Sequence, residues 1–170
     1  HEGIAGVLGA IEYFEWVGRE FGSEFVAGLA GENYRGRQLE LKKAMSAIHA
    51  YEIELSKALL SALNDVPGLR LYGLNDVRRL DERVATFSFR LNNMHPRVVA
   101  EKLAQEGIFA WDGNYYALNV SERLGVEEQG GMVRVGAAHY NTLEAVARRK
   151  DALINIAAGY VRQDLFCLLY

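Results

Sequence analysis

From Arg83 to Leu91 the chain alternates without a break: Ala85, Phe87, Phe89 and Leu91 fall on one side, and Val84, Thr86, Ser88 and Arg90 on the other. A period of two with the large apolar residues on one side specifies a strand with one packed face and one open face. Met132 to Ala137 repeats the pattern, with Val133, Val135 and Ala137 pointing one way and Met132, Arg134 and Gly136 the other. If both apolar faces lie under helices, Arg134 stands on the open face with Thr86, Ser88 and Arg90. A charged group in the middle of such a strand must be solvated, paired or kept for a ligand. Gly136 beside it leaves room for something to approach.

The rest of the pattern supplies the helices. Val7, Leu8, Ile11, Phe14 and Val17 recur at helical spacing between Ile4 and Phe21, and Gly3, Gly6 and Gly9 among them permit close approach of a neighbouring backbone. A glycine-rich loop from Gly22 to Gly36 leads to a second helix, Arg37 to Leu63, which Pro67-Gly68 ends. A strand at Leu69 to Tyr72 and a polar loop from Asn75 to Glu82 precede the alternating segment. His95-Pro96 reads as an N-cap with proline at the first helical position, opening a helix that stops at Gly107. A strand at Ile108 to Asp112 and a short helix at Tyr116 to Leu124 follow. Asn141 with Glu144 three residues on reads as a capping box for a helix through Val146, Leu153 and Ile156. The order predicts an α+β fold: a small, mostly antiparallel sheet with helices on one face, preceded by two N-terminal helices. The expected division is 1–36 as helix and connector, 37–158 as the α+β domain and 159–170 as an apolar tail without an assigned place.

Composition excludes more than it selects. The 170 residues suit one sizeable domain, and a net charge of −3 with scattered basic residues argues against nucleic acid or an anionic membrane as partner. The single cysteine, Cys167, allows no internal disulfide, and its setting, Phe-Cys-Leu-Leu, is that of an inert thiol. Without a span-length apolar run or a signal-peptide pattern, the expected location is cytoplasmic. Because the first residue is His1, the chain is expected to be a fragment or processed product of something longer. His1, His49, His95 and His139 show no metal-ligand spacing, Gly-Ile-Ala-Gly-Val-Leu-Gly-Ala lacks the lysine of a phosphate loop, and no nucleophile elbow is present. Arg134 is left as the candidate, since its fork could hold a carboxylate in two parallel hydrogen bonds.

FSFRLNNMHPRVVAEKLAQEGI (Phe87 to Ile108), followed by G-x-x-R-x5-Y-N-T-x-E (Gly131 to Glu144), resembles the C-terminal small domain of class V aminotransferase-type enzymes. These are fold-type I pyridoxal-phosphate (PLP) enzymes, and the likeness is to their cysteine desulfurase-like branch, over nearly the whole chain. The resemblance implies that Arg134 grips the α-carboxylate of an amino-acid substrate and that Asn114 to Tyr116 line the cleft beside it. Tyr116 would donate a hydrogen bond or a proton there, with simple packing as the alternative. In that branch the loop reads R-x-G-H-H-C and its cysteine carries a persulfide; here Trp111 stands at the arginine position and Tyr116 at the cysteine position. Desulfuration through a protein persulfide is therefore not expected. Lys42, Lys43, Lys57, Lys102 and Lys150 lack the family's Ser-x-His-Lys context, so PLP is expected in the full-length parent and none on this chain. The resemblance thus implies a fragment, inactive alone, of an enzyme catalysing transamination, elimination or racemisation. The missing large PLP domain and a second copy, in a homodimer, are the implied partners. The rival reading is a stand-alone interaction domain that buries its open face against a partner.

Overall fold

The two alternating segments pair with each other. Strands β1 (Leu69–Tyr72), β2 (Thr86–Leu91), β3 (Trp111–Gly113) and β4 (Met132–Gly136) form one sheet in the order β1-β2-β4-β3, every neighbouring pair antiparallel. The β2–β4 register sets Phe87 opposite Val135 and Phe89 opposite Val133, and all four side chains are buried. The fold is the expected α+β arrangement. Its chain path explains why helices gather on one face. Both β2 and β3 run antiparallel to β4, so they are parallel to each other and need a crossover, supplied by α3 (Pro96–Gln105). Helix α3 packs on β2, β3 and β4 and on α5 (Leu143–Cys167). Val99 and Leu103 are fully buried on α3, as is Leu153 nearly so on α5.

Helix ends show where local chemistry moved the boundaries. The His95 ring accepts a hydrogen bond from the Arg97 N–H at 3.2 Å and Pro96 opens α3, as the sequence suggested. At its other end Gly107 takes a φ of +69°, the Ile108 N–H reaches the Leu103 carbonyl at 2.9 Å and the Gly107 N–H the Ala104 carbonyl at 3.0 Å. This helix-end motif uses Ile108, so β3 begins at Trp111 rather than Ile108. The cap of α5 is Thr142, whose hydroxyl accepts from the Ala145 N–H at 3.1 Å. Asn141, one residue earlier, instead accepts from the Ala138 N–H at 2.8 Å and closes the turn after β4. A short helix α4 (Leu118–Arg123) lies between β3 and β4.

The structure is a computed structural model that describes residues 1–167, and the chain divides into two compact units, 1–52 and Ile53 onward. In the first unit α1 (Glu2–Phe21) is joined by two 3-10 turns to α2 (Gly36–Asn64), which continues into the second unit. Close backbone approach does occur here, but not at the glycines the sequence marked. A Cβ on Gly3, Gly6 or Gly9 would meet nothing within 4 Å, whereas one on Gly18 would lie 2.0 Å from the Glu40 carbonyl oxygen. Beside this contact the Arg37 guanidinium donates to the Glu15 carboxylate. The part of α2 in the second unit buries Leu55, Leu59, Leu60 and Leu63. Helix α5 continues through Cys167, and the last three residues of the expected tail lie outside the described residues. Among the described residues no helix is long and apolar enough to cross a membrane.

The glycine contrast is testable by chemical denaturation. Gly18→Ala should destabilise the first unit by about 1–3 kcal/mol through overpacking, and Gly6→Ala should stabilise it by up to about 1 kcal/mol through helix propensity. Equal effects of the two would contradict the α1–α2 contact described.

Candidate functional site

Strand register decides what surrounds Arg134. On β4 it pairs with Ser88 of β2 on one side and with Trp111 of β3 on the other, so the three residues form one row across the sheet. Paired residues share a face, and this face is opposite Phe87, Phe89, Val133 and Val135. Arg134 is half-buried in the row. Its guanidinium carbon lies 5.2 Å from the Trp111 ring centre and 4.6 Å from that of Tyr115. Such contacts contribute from about 0.5 to 2 kcal/mol each, according to desolvation. Rings attract the face of a guanidinium and leave its in-plane N–H groups free to donate. Among the described residues no carboxylate pairs with Arg134.

Tyr115 reaches Arg134 because the chain turns sharply after β3. Tyr115 and Tyr116 both adopt left-handed backbone angles, φ +56° and +62°, which non-glycine residues seldom hold. Neighbouring groups fix the turn. The Asn114 amide donates to Glu127 at 3.0 Å, the Tyr116 N–H donates to the Asn114 side-chain oxygen at 3.2 Å, and the Ala117 N–H donates to the Asn114 carbonyl at 2.8 Å. Glu127 is itself held by the Ser121 hydroxyl, which donates to its second oxygen. The Tyr115 hydroxyl donates to the Met132 carbonyl on β4. Burial pushes the Tyr115 phenol above its ordinary range, against a smaller opposite pull from the Arg134 charge.

The residues singled out in the sequence thus have different surroundings. Arg134 stands on the open face. Tyr116 is 96% exposed, and it is Tyr115, one residue earlier, whose ring meets the guanidinium. Asn114 faces Glu127 in a groove with His95, Arg97 and Asp112. Asp112 pairs with Arg97 at 2.9 Å. Arg90 shares the face of Arg134 but is buried rather than open, donating to the Gln129 carbonyl at 3.1 Å and the Gly131 carbonyl at 2.6 Å. Its charge is committed to structure. The space at Gly136 is also narrower than the sequence suggested, since an added Cβ would sit 3.3 Å from the Thr86 hydroxyl. Tyr115 lies within the Asn114–Tyr116 stretch expected at the cleft, but its contact with Arg134, and that of Trp111, follow only from register and turn geometry; their sequence signal was two aromatics four residues apart beside Gly113.

The groups that could hold a metal or a covalent cofactor have other surroundings among the described residues. Among the described residues no cluster of three or more His, Cys, Asp or Glu is placed to hold a metal ion. Lys43 pairs with Glu40 at 2.8 Å, Lys150 pairs with Asp65 at 2.6 Å, and Lys42 lies over the Tyr34 ring. Lys57 is exposed on α2 and Lys102 lies on α3. These lysines are thus placed on helices, and the ion pairs and the ring contact just named are what the structure gives Lys42, Lys43 and Lys150.

Comparison with known proteins gives these residues a family. The aminotransferase class-V family model matches residues 15–148. A cysteine desulfurase of Synechococcus elongatus is 33% identical over 118 residues, 69% of this chain and 18% of that protein. An uncharacterized protein of Mycobacterium tuberculosis, MT3887, is 30% identical over 154 residues, 90% of this chain and 34% of that protein. The solved cysteine desulfurase of Thermococcus onnurineus superposes with a TM-score of 0.61 at 25% identity, covering 72% of this chain and 30% of that one. The chain belongs to the aminotransferase class-V family, whose members include PLP-dependent cysteine desulfurases. It spans well under half the length of these relatives.

Tyr115 provides a stability test. Its phenol has a folded-state pKa above the unfolded value of about 10, so its contribution is fully present below pH ~10 and is lost as pH rises beyond that. Tyr115→Phe, which keeps the ring and removes the bond to Met132, should cost about 1 kcal/mol at neutral pH. It should also flatten the fall in the unfolding midpoint above pH ~10. An alkaline profile identical to that of the parent chain would contradict the assignment.

Proposed function

We propose that the chain is the C-terminal, substrate-carboxylate-binding part of a PLP-dependent enzyme acting on an amino acid. The single observation that carries this is Arg134: a guanidinium fixed on the open face of the sheet, flanked by two rings and without a carboxylate partner among the described residues. Family membership and the R-x5-Y-N-T order, Arg134 to Thr142, support the same role. A planar fork on a central strand suits a carboxylate better than a lysine would, because two parallel hydrogen bonds fix its orientation as well as its position. Binding held this way contributes orientation of the bonds at the α-carbon relative to whatever group acts on them.

In this reading the cofactor's lysine and cradle belong to a part of the protein outside this chain, in keeping with the short share of each relative that the chain covers. Sulfur transfer through a protein persulfide is not expected of this protein. The position that holds the persulfide cysteine in the desulfurase pattern is Tyr116, and Cys167 lies on α5. The reaction is instead a transamination, elimination or racemisation of an amino acid, and the whole protein acts as a homodimer. Tyr116, exposed at the turn, and Asn114 are the groups of this chain placed nearest in sequence to Tyr115 to contribute contacts there.

Kinetics of the whole protein test the proposal. Arg134→Ala should weaken transition-state and substrate binding by about 2–5 kcal/mol, and Arg134→Lys by less, because a point charge replaces the fork. Cys167→Ser should leave the rate unchanged. An unaltered KM in Arg134→Ala, or a rate that depends on Cys167, would overturn the reading.

A further inference from the structure

The surroundings of Arg134 are unequal on its two sides. Towards β2 lie Ser88, directly opposite, and Thr86, both small and hydroxylated. Towards β3 lies Trp111, which remains 55% exposed although its ring is within reach of the guanidinium. An indole left half uncovered beside an unpaired cation is an unusual surface, because large aromatics bury most of their area when nothing else is served. Strand β3 is also an edge strand of three residues, so a ligand can reach Trp111 from the side. Phe109, 88% exposed, lies two residues earlier, and Tyr116, 96% exposed, five residues later. Of the other arginines on this face among the described residues, Arg90 is buried and engaged by two backbone carbonyls, and Arg70 lies two strands away on β1, over the Tyr72 ring.

We infer that Trp111 is a specificity-determining residue, an apolar wall beside the Arg134 fork that selects carboxylates bearing a large apolar or aromatic substituent. The inference rests on the proposed role of Arg134 and adds the substrate class to it. Because the rings contact the guanidinium face, the in-plane donors stay available for the carboxylate. A substituent projecting from that carboxylate towards β3 meets the indole directly; one projecting towards β2 first meets hydroxyl groups, with Tyr72 of β1 one strand beyond Ser88. A small thiol gains little from the indole, and an acidic side chain finds Arg90 already engaged and Arg70 two strands away on β1. Tyr115, anchored through its hydroxyl to Met132, is a positioning residue that keeps the guanidinium turned to this slot.

Titrations of the chain followed by NMR at the Trp111 indole N–H, identified by its loss in Trp111→Leu, test this without requiring turnover. The probes are 3-phenylpropionate, acetate and succinate, and for the Trp111→Leu variant the backbone amide of Arg134 reports binding instead. In the parent chain 3-phenylpropionate should bind about tenfold more tightly than acetate or succinate, the scale of one aromatic contact. Trp111→Leu should bring 3-phenylpropionate close to acetate, while Trp111→Phe keeps the preference and guards against misfolding as the cause. Equal affinities in the parent chain, no detectable binding of any probe, or a preference that survives Trp111→Leu would overturn the inference. Arg134→Ala separates the two levels. If it leaves 3-phenylpropionate binding unchanged, the carboxylate grip itself fails; if it abolishes binding while Trp111→Leu changes nothing, the grip stands and the wall falls.

Discussion

The register that sets Ser88, Arg134 and Trp111 in one row across three strands is the constraint on which the rest depends. A shift of one residue in β4 would bring Arg134 onto the face shared by Phe87, Phe89, Val133 and Val135, where a charge without a partner is very costly. The same shift would expose Val133 and Val135. Burial of the four apolar residues therefore holds the arginine outward, and the core and the site are specified by one pattern. The crossover through α3 adds the second requirement, because it places β3, and with it Trp111, beside β4 rather than beside β2.

Polar groups then tune what the register provides. Three arginines reach the same face; Arg70, on β1, lies exposed over the Tyr72 ring, and the structure treats the two inner ones differently. Arg90 is enclosed and satisfied by the Gln129 and Gly131 carbonyls, and Gly131, at φ +75°, has no room for a side chain, since an added Cβ would lie 2.3 Å from the Gly113 carbonyl oxygen. Arg134 keeps its donors. Its two aromatic neighbours restrict the guanidinium without consuming those donors, which is the form of preorganisation that a carboxylate site requires. The Glu127–Asn114 contact sustains the strained turn that brings Tyr115 to it.

Much of this was legible in the sequence, and the remainder was hidden for physical reasons. Period-two alternation located β2 and β4 and put Arg134 on the open face, because a half-covered strand leaves no other reading of that pattern. The α+β class followed from the order of elements. What periodicity could not show was pairing over distance: that β3 would flank β4, or that carbonyls 39 and 41 residues away would enclose Arg90. Side chains that bond to their own turns also misled. Asn141 looked like a cap and closes a turn instead, and Ile108 looked like strand and completes a helix end. Gly3, Gly6 and Gly9 suggested close packing that Gly18 performs, since any glycine permits approach and only the partner's position decides which one is used.

Arg134 as the grip on a substrate carboxylate is the central claim, and its side-chain nitrogen is the most direct witness. In the whole protein, the Nε–H resonance of Arg134, assigned by its loss in Arg134→Lys, can be followed as an amino acid that the enzyme converts is added. A carboxylate held by the fork predicts a saturable shift of that signal, with the midpoint at the concentration that half-saturates the reaction. Saturation of the reaction with no change at Arg134 would contradict the account.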